Sequence, residues 1–447
     1  MNIVYLHAHD AGRYVQPYGH PVHTPHLMEF AKESVLFRKA SSIAPTCGPS
    51  RAALTSGQYP HQIGMYGLPG RQGWLFDDYG KHMANQFNRW GYQTILAGVQ
   101  HEANHADFSC IGYERVLERE EPARAQDGEF YPETIAKVEA FLATRNDDRP
   151  FFLSVGIDEP HRDNLARPEL NLHGAGDRFT KTRYVDPDRL DSRYTAPPPW
   201  LPDLPGLRKD MEGYCEGVKI MDEYMGRVLH AIRHNGLEKN TLVIITSDHG
   251  IEFAGGKMSL TDQGTQIMLM IRGPKGTESP FARGMVIEPM VTHLDIYPTL
   301  CELIGKTTDH KLEGKSLLPL VKGEVEQLHE VVFSEQTYHG DKGFEPLRAV
   351  RSERYKYIRR HYPTGPHMRH DGPGCPIMEE LGWFDRDLGH EQLFDLYIDP
   401  WEACNRADDP ASAKIKTELS DKLDAWMKET DDPFLSGEFP ATPSRLT

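Results

Sequence analysis

The chain has 447 residues, 66 of them acidic and 50 basic, for a formal net charge of −16, and 38% are hydrophobic. That length supports a sizeable core, and no apolar run approaches the roughly 18–20 residues a membrane helix needs. An acidic balance without a basic block excludes a nucleic-acid partner, since phosphate binding needs clustered Lys and Arg, so an anionic substrate must be captured by local charge.

The first element, Asn2-Ile3-Val4-Tyr5-Leu6, reads as a strand over 2–7. It has neither a basic n-region nor a long apolar h-region, so no signal peptide and a cytoplasmic location are expected. A helix over 24–33 follows, with Thr24 placed to cap it and Pro25 at its first position. Further short β-rich runs at 92–97, 150–157, 241–246 and 267–272 alternate with helical patterns. This alternation predicts an α/β protein with a large, mostly parallel sheet sandwiched by helices. The helix expected over 210–233 carries Met211, Tyr214, Val218, Met221, Met225, Val228 and Ile232 at three- and four-residue intervals, a core-packing stripe.

The pattern changes near residue 330. Val331-Val332-Phe333, 347–351 and 354–360 read as antiparallel strands, followed by a Pro/Gly/His-rich loop at 362–376, a short strand near 393–398 and a helix over 411–429. The expected division is a large α/β domain at 1–330 and a smaller C-terminal α+β domain at 331–447 with an antiparallel sheet and a helix. Proline-rich stretches at 196–205 and 433–443 read as loops or tail. Six cysteines without CxxC spacing read as mostly free thiols of a reducing compartment.

Ligands of an open α/β sheet bind beyond the carboxyl ends of its strands, and those ends are polar here. Strand 2–7 runs into His9-Asp10, 92–97 toward His101, 150–157 into Asp158-Glu159-Pro160-His161-Arg162, and 241–246 into Ser247-Asp248-His249-Gly250. Asp10, Asp248 and His249 offer oxygen and nitrogen ligands for one divalent cation. Thr46-Cys47-Gly48-Pro49-Ser50-Arg51-Ala52-Ala53-Leu54-Thr55-Ser56-Gly57 places a cysteine at the start of a helix with a glycine stop. A helix N-terminus lowers a thiol's pKa, which makes Cys47 a candidate nucleophile.

Cys47-Gly48-Pro49-Ser50-Arg51 resembles the C-x-P-S-R signature of type I sulfatases, formylglycine-dependent members of the alkaline phosphatase superfamily. The likeness continues through Asp10-x-Gly12, Thr24-Pro25-His26-Leu27, Ser56-Gly57-Gln58-Tyr59-Pro60-His61, Thr246–Gly250, Thr292–Thr299 and Leu396–Glu402, in family order. Gln62–Leu68 and the Ala425-Trp426…Asp432-Pro433 stretch are most similar to the N-sulfoglucosamine sulfohydrolase (sulfamidase) branch.

The resemblance implies a sulfatase-like fold and hydrolysis of a sulfate ester or sulfamate on a small sulfated substrate, a sugar in first place. It implies that a maturation enzyme converts Cys47 to formylglycine, and that Asp10, Asp248 and His249 hold one metal ion, Ca²⁺ by family default. His9 stands where the family has an aspartate and His249 where many members have an asparagine, which opens the site to Mn²⁺. Arg51 would hold the hydroxyls of residue 47 or the sulfate, His101 matches the histidine of A-G-K-x-H with Val99 in place of its lysine, His161 would contact sulfate or protonate the leaving group, and Lys257 matches the basic residue on the leaving side. Asp295 and Tyr297 take packing roles, and Arg13 and Arg162 are candidate substrate contacts. Two rival functions remain: a phosphodiesterase or phosphonate monoester hydrolase of the same superfamily, and a non-catalytic binder of sulfated ligands.

Overall fold

The N-terminal run forms β1 (Asn2–Ala8), buried along its whole length, with Ile3 and Tyr5 in one apolar cluster and Val4, Leu6 and Ala8 in another. A strand covered on both faces must be apolar throughout, and it occupies the centre of a sheet with helices on either side. This computed structural model describes residues 1–69, 74–104, 108–117, 130–162, 190–281, 284–339, 343–362 and 375–437. After β1 come α1 (Pro25–Lys32), β2 (Val35–Ser41), α2 (Cys47–Ser56), α3 (Met83–Arg89), β3 (Gln93–Gly98), β4 (Arg115–Val116), α4 (Phe130–Thr144) and β5 (Phe151–Gly156). The chain continues through α5 (Pro205–His234), β6 (Thr241–Ser247), β7 (Gln266–Ile267), β8 (Leu269–Arg272), β9 (Met285–Thr292) and α6 (Ile296–Ile304).

The nine strands run in the order β4-β3-β5-β1-β6-β8-β2-β7, with β9 also paired to β2. β1 pairs in parallel with β5 and β6, and β5 with β3, so the ends carrying His9, His161 and Asp248 open on one rim. Helices α1, α4 and α5 pack one face; α2, α3 and α6 pack the other. The stripe on α5 from Met211 to Ile232 lies in the first cluster, as its spacing requires.

Several local expectations change. The run 267–272 is not one strand: it breaks at Met268 into β7 and β8, both antiparallel to β2. Strands β2 and β9 carry no clean sequence signal; β9 contains Pro289, tolerated because among the described residues β9 pairs with β2 alone. Thr24 precedes α1 but does not cap it, since its hydroxyl accepts from Gln16 N at 3.0 Å. Asp222 of α5 takes over, accepting from His26 N at 3.1 Å and Leu27 N at 2.8 Å, which ties α1 to α5.

A separate four-stranded antiparallel sheet follows: β10 (Val331–His339), β11 (Gly343–Ser352), β12 (Tyr355–Arg360) and β13 (Glu391–Asp395), in that order. Helix α7 (Ala413–Glu429) covers it, with Leu419, Leu423 and Trp426 in a cluster that also takes in Ile43, Ala53, Tyr59 and Leu294 of the larger part. The two sheets are thus joined through shared apolar packing around α2. Most of the loop expected at 362–376 and the end of the 433–443 stretch lie outside the described residues. Cys47, Cys110, Cys215, Cys301 and Cys404 are free thiols. Among the described residues no helix is long and apolar enough to cross a membrane.

Candidate active site

Cys47 is the first residue of α2, and all ten residues of that helix are buried. Burial on every side demands small residues: a Cβ on Gly48 would lie 3.1 Å from His101 O and 3.2 Å from Gly67 O. The helix ends at Gly57, whose φ of +70° suits a residue without Cβ. Cys47 itself is 2% exposed and faces the rim formed by β1, β5 and β6.

Ligand atoms of His9, Asp10, Cys47, Asp248 and His249 all lie within 4.8 Å of one another. Asp10 holds the left-handed φ of 59°, a conformation costing about 1–3 kcal/mol that aims its carboxylate inward. Asp248 fixes the turn by accepting from the N–H groups of Asp10 and His249, each at 2.9 Å. His9 presents Nε2 to Cys47 Sγ at 2.8 Å while its Nδ1 meets Asp158 Oδ1 at 3.3 Å. His249 presents Nε2 to Asp10 Oδ1 at 3.1 Å and to Cys47 Sγ at 3.4 Å, with Nδ1 on Gly250 O at 2.9 Å. Both imidazoles are therefore held from behind by an acceptor, the arrangement that sets a metal-bound histidine's tautomer.

The charges respond to this crowding. Burial, and then the neighbouring His161 and His101, hold His9 well below its ordinary pKa, so it is neutral. Burial opposes the charged form of His249, but Asp248 and Asp10 outweigh it and raise its pKa well above the usual value. Asp248 is pushed below the ordinary carboxylate range, because His249 and Arg51 overcome the effect of burial.

A divalent cation fits these residues. Two carboxylates and two inward Nε2 atoms converge, and the buried Asp10 Oδ1 has the His249 ring beside it, at 3.1 Å. His9 belongs to this donor set as fully as Asp10 does.

Around it stand the other candidates. Arg51, 2% exposed, donates to Asp248 Oδ2 at 2.9 Å and abuts His7. Lys257 donates to Asp10 Oδ2 at 2.7 Å; burial opposes its charge, but Asp10 raises its pKa, so it stays an ammonium. His161 lies over His9 with ring centroids 4.2 Å apart, its Nε2 3.8 Å from Asp10 Oδ2 and its Nδ1 2.6 Å from Arg162 O. His101, also at positive φ (54°), meets His9 edge-on at 4.8 Å.

The two arginines expected to touch substrate have these surroundings. Arg162 is spent on the scaffold: it donates to Asp210 Oδ1 on α5 at 2.9 Å and to Glu252 O at 3.3 Å. Arg13, after the turn at Gly12, has Asp262, Arg351 and Arg38 as charged neighbours. Two residues went unassigned in the sequence. Asp158 sat in the polar run after β5 but only the fold pairs it with His9; Glu252, two residues past Gly250, lies 3.7 Å from Lys257 and clusters with Asp10 and His161. Asp295 is structural, accepting from Thr292 N at 2.7 Å and Lys315 N at 2.8 Å.

Residues 1–306 match the family described as "Sulfatase", and residues 256–367 the one described as "N-sulphoglucosamine sulphohydrolase, C-terminal". The chain belongs to the sulfatase family. It is 31% identical to human N-sulphoglucosamine sulphohydrolase, over 97% of this chain and 91% of that one. Among solved structures, a 2-O GAG sulfatase superposes with a TM-score of 0.73 at 22% identity, covering 99% of this chain and 95% of the other. A protein solved with its substrate D-glucosamine-2-N,6-O-disulfate superposes at 0.72 with 18% identity, covering 97% and 99%. This sulfatase is a sulfuric ester or sulfamate hydrolase, and the Cys47 cluster is its candidate active site.

Proposed function

We propose that the enzyme removes sulfate from a sulfated glucosamine-type sugar, with a sulfamate as the leading linkage, through formylglycine made from Cys47. The observation that carries this reading is the placement of Cys47, inside an intact C-x-P-S-R, at the first position of a buried helix facing two carboxylates and two imidazoles. The relatives' names support the sugar: one is a sulphoglucosamine sulphohydrolase and another binds a glucosamine disulfate as substrate.

Formylglycine at residue 47 supplies a hydrated aldehyde, one hydroxyl to attack sulfur and a second to release sulfate by collapse, a route closed to serine. His9, Asp10, Asp248 and His249 would hold a divalent cation, which would supply charge neutralisation to the sulfate group. With two nitrogen donors, this set suits a transition ion such as Mn²⁺ better than Ca²⁺, which takes oxygen ligands. Arg51 keeps Asp248 ionised and oriented. Lys257 holds a positive charge beside Asp10 in a site too dry for water to screen it. His161 donates Nδ1–H to the carbonyl of Arg162, which leaves Nε2 facing the cluster; protonated there, it can pass a proton to the departing amine or alkoxide.

An open hollow beside Lys257, between the 255–260 segment and the small sheet, is lined by Glu345, Arg360, Trp383 and Arg386, and the leaving sugar is placed there. His361 packs near Phe434, with ring centroids 5.9 Å apart. His367, Arg369 and His370 lie outside the described residues.

Turnover of N-sulfoglucosamine, an O-sulfated glucosamine, an aryl sulfate and an aryl phosphodiester by matured, metal-loaded protein tests this reading. The sulfated sugars should be preferred. Preference for the phosphodiester would turn the assignment toward the phosphodiesterase side of the superfamily, and binding without turnover of any would leave a non-catalytic binder.

A further inference from the structure

A second, shallow hollow open to solvent is walled by the residues that follow the two metal-site segments: Gly12 and Arg13 after Asp10, and Ile251 after His249. None of the residue-47 cluster lines it. Its polar groups are poorly satisfied in a particular way. Among the described residues the half-buried Arg13 guanidinium makes no hydrogen bond and no ion pair. The carboxylate sharing the hollow, Asp262, is already taken by Arg351 at 3.0 Å and Lys356 at 2.5 Å. Gln266 donates Nε2 to Asp262 Oδ2 at 2.6 Å and leaves a buried Oε1 with no partner.

The apolar wall is aromatic. Trp401, 37% exposed, stands with its ring 6.0 Å from that of Trp200, and Trp200 is pinned by its Nε1 donating to Ala254 O at 2.8 Å.

An unpaired half-buried guanidinium is costly, and five donors in a rigid fork ask for an anion. Arg351 and Arg38 nearby add to the positive field, in a chain whose net charge is −16. Water can solvate Arg13 but not cancel its charge. The lone Gln266 Oε1 asks for a hydroxyl donor, and an exposed indole face beside them suits the carbon face of a ring.

We propose that this hollow is a second, non-catalytic binding site for an anionic sugar unit, its carboxylate or sulfate on Arg13, a hydroxyl on Gln266 and its ring against Trp401. The site goes beyond the catalytic reading and does not depend on the chemistry at residue 47. It gives the enzyme a grip on a longer acidic saccharide away from the reacting end.

Metal-loaded protein labelled with 5-fluorotryptophan, its Trp401 signal assigned from Trp401→Phe, is titrated by ¹⁹F NMR with a heparin tetrasaccharide, maltotetraose and inorganic sulfate. The Trp401 and Trp200 signals should shift together with the tetrasaccharide and stay put with maltotetraose. Arg13→Gln should weaken that response at least about tenfold, and Arg13→Lys, which keeps the charge should the first variant not fold, by less. Trp401→Ala should leave turnover of monomeric N-sulfoglucosamine unchanged while raising KM for the tetrasaccharide. Absence of a shift, a shift insensitive to both Arg13 variants, or an equal response to inorganic sulfate would each overturn the proposal. A wild-type protein that fails to turn over N-sulfoglucosamine would sink the catalytic reading and leave this titration standing.

Discussion

Two buried clusters in this protein hold similar residues and behave differently. At the rim of the large sheet, His9, Asp10, Asp248 and His249 converge on Cys47, with both imidazole Nε2 atoms turned inward. At the seam with the small sheet, His61, Glu335 and Asp432 also bring potential ligand atoms within 4.8 Å of one another. There, however, Arg348 fills the space a cation would need: it donates to Asp432 through Nε at 2.5 Å and Nη2 at 3.2 Å and to Gln336 O at 3.0 Å. Glu335 accepts from His61 N at 2.8 Å and pairs with its ring. Proximity of acids and imidazoles does not distinguish a metal site from a structural knot. At the rim, Lys257 and Arg51 each take only one oxygen, of Asp10 and Asp248 respectively, and two imidazole Nε2 atoms still point inward; at the seam, Arg348 takes both oxygens of Asp432.

The comparison breaks most visibly at Asp248. Asp248→Ala removes an inward carboxylate and the acceptor that fixes the Asp10 turn, so bound metal and turnover should both vanish. Elemental analysis after dialysis checks this, and stoichiometric metal in the variant would refute the assignment.

His161→Ala should cost about 10²–10⁴-fold in kcat/KM on a sulfated sugar, whose amine or alkoxide leaves poorly, and far less on nitrophenyl sulfate. Equal losses on both substrates would reduce His161 to a sulfate contact.

At the seam, Arg348→Leu leaves Asp432 and Glu335 buried without their cation. It should lower unfolding free energy by about 3–5 kcal/mol in urea titrations while metal content stays whole. Metal loss in that variant would erase the distinction between the clusters.

Asp158→Asn sharpens it from the other side. Without the carboxylate behind His9, metal affinity should fall about 10–100-fold, read by competition with a chelator, with little change in fold stability. Unchanged affinity would remove His9 from the donor set.

The smallest effect is a pH dependence at the seam. Burial opposes protonation of His61, but Glu335 and Asp432 outweigh it and hold its pKa above the ordinary value, with Arg348 pulling the other way. A folded-state pKa above the unfolded one of about 6.5 gives stability that is complete below that value and drains away as pH rises through the folded pKa. Relative to His61→Gln, wild type should lose stability as pH rises above the unfolded pKa of about 6.5; an identical profile would show that the imidazole carries no charge there.

The rim was legible in the sequence for a simple reason: strand-end residues adjoin recognisable strands, so His9-Asp10, His161 and Asp248-His249 announce a common edge once the sheet is parallel. The seam was not, because Arg348 and Asp432 stand 84 residues apart and only the packing of β11 against the segment after α7 joins them. The neighbours of Arg13 and Arg162 were not legible, because adjacency to a site in sequence says nothing about the direction in which a side chain leaves the chain; Arg13 follows the turn at Gly12 and Arg162 pairs with Asp210. β9 escaped notice through Pro289, which edge pairing tolerates.

The most direct test is the state of residue 47. Peptide mass spectrometry on protein from its own host, together with N-sulfoglucosamine turnover on the same preparations, should show formylglycine at position 47 and activity proportional to the converted fraction. Full activity from protein whose residue 47 is an unmodified cysteine would contradict the account.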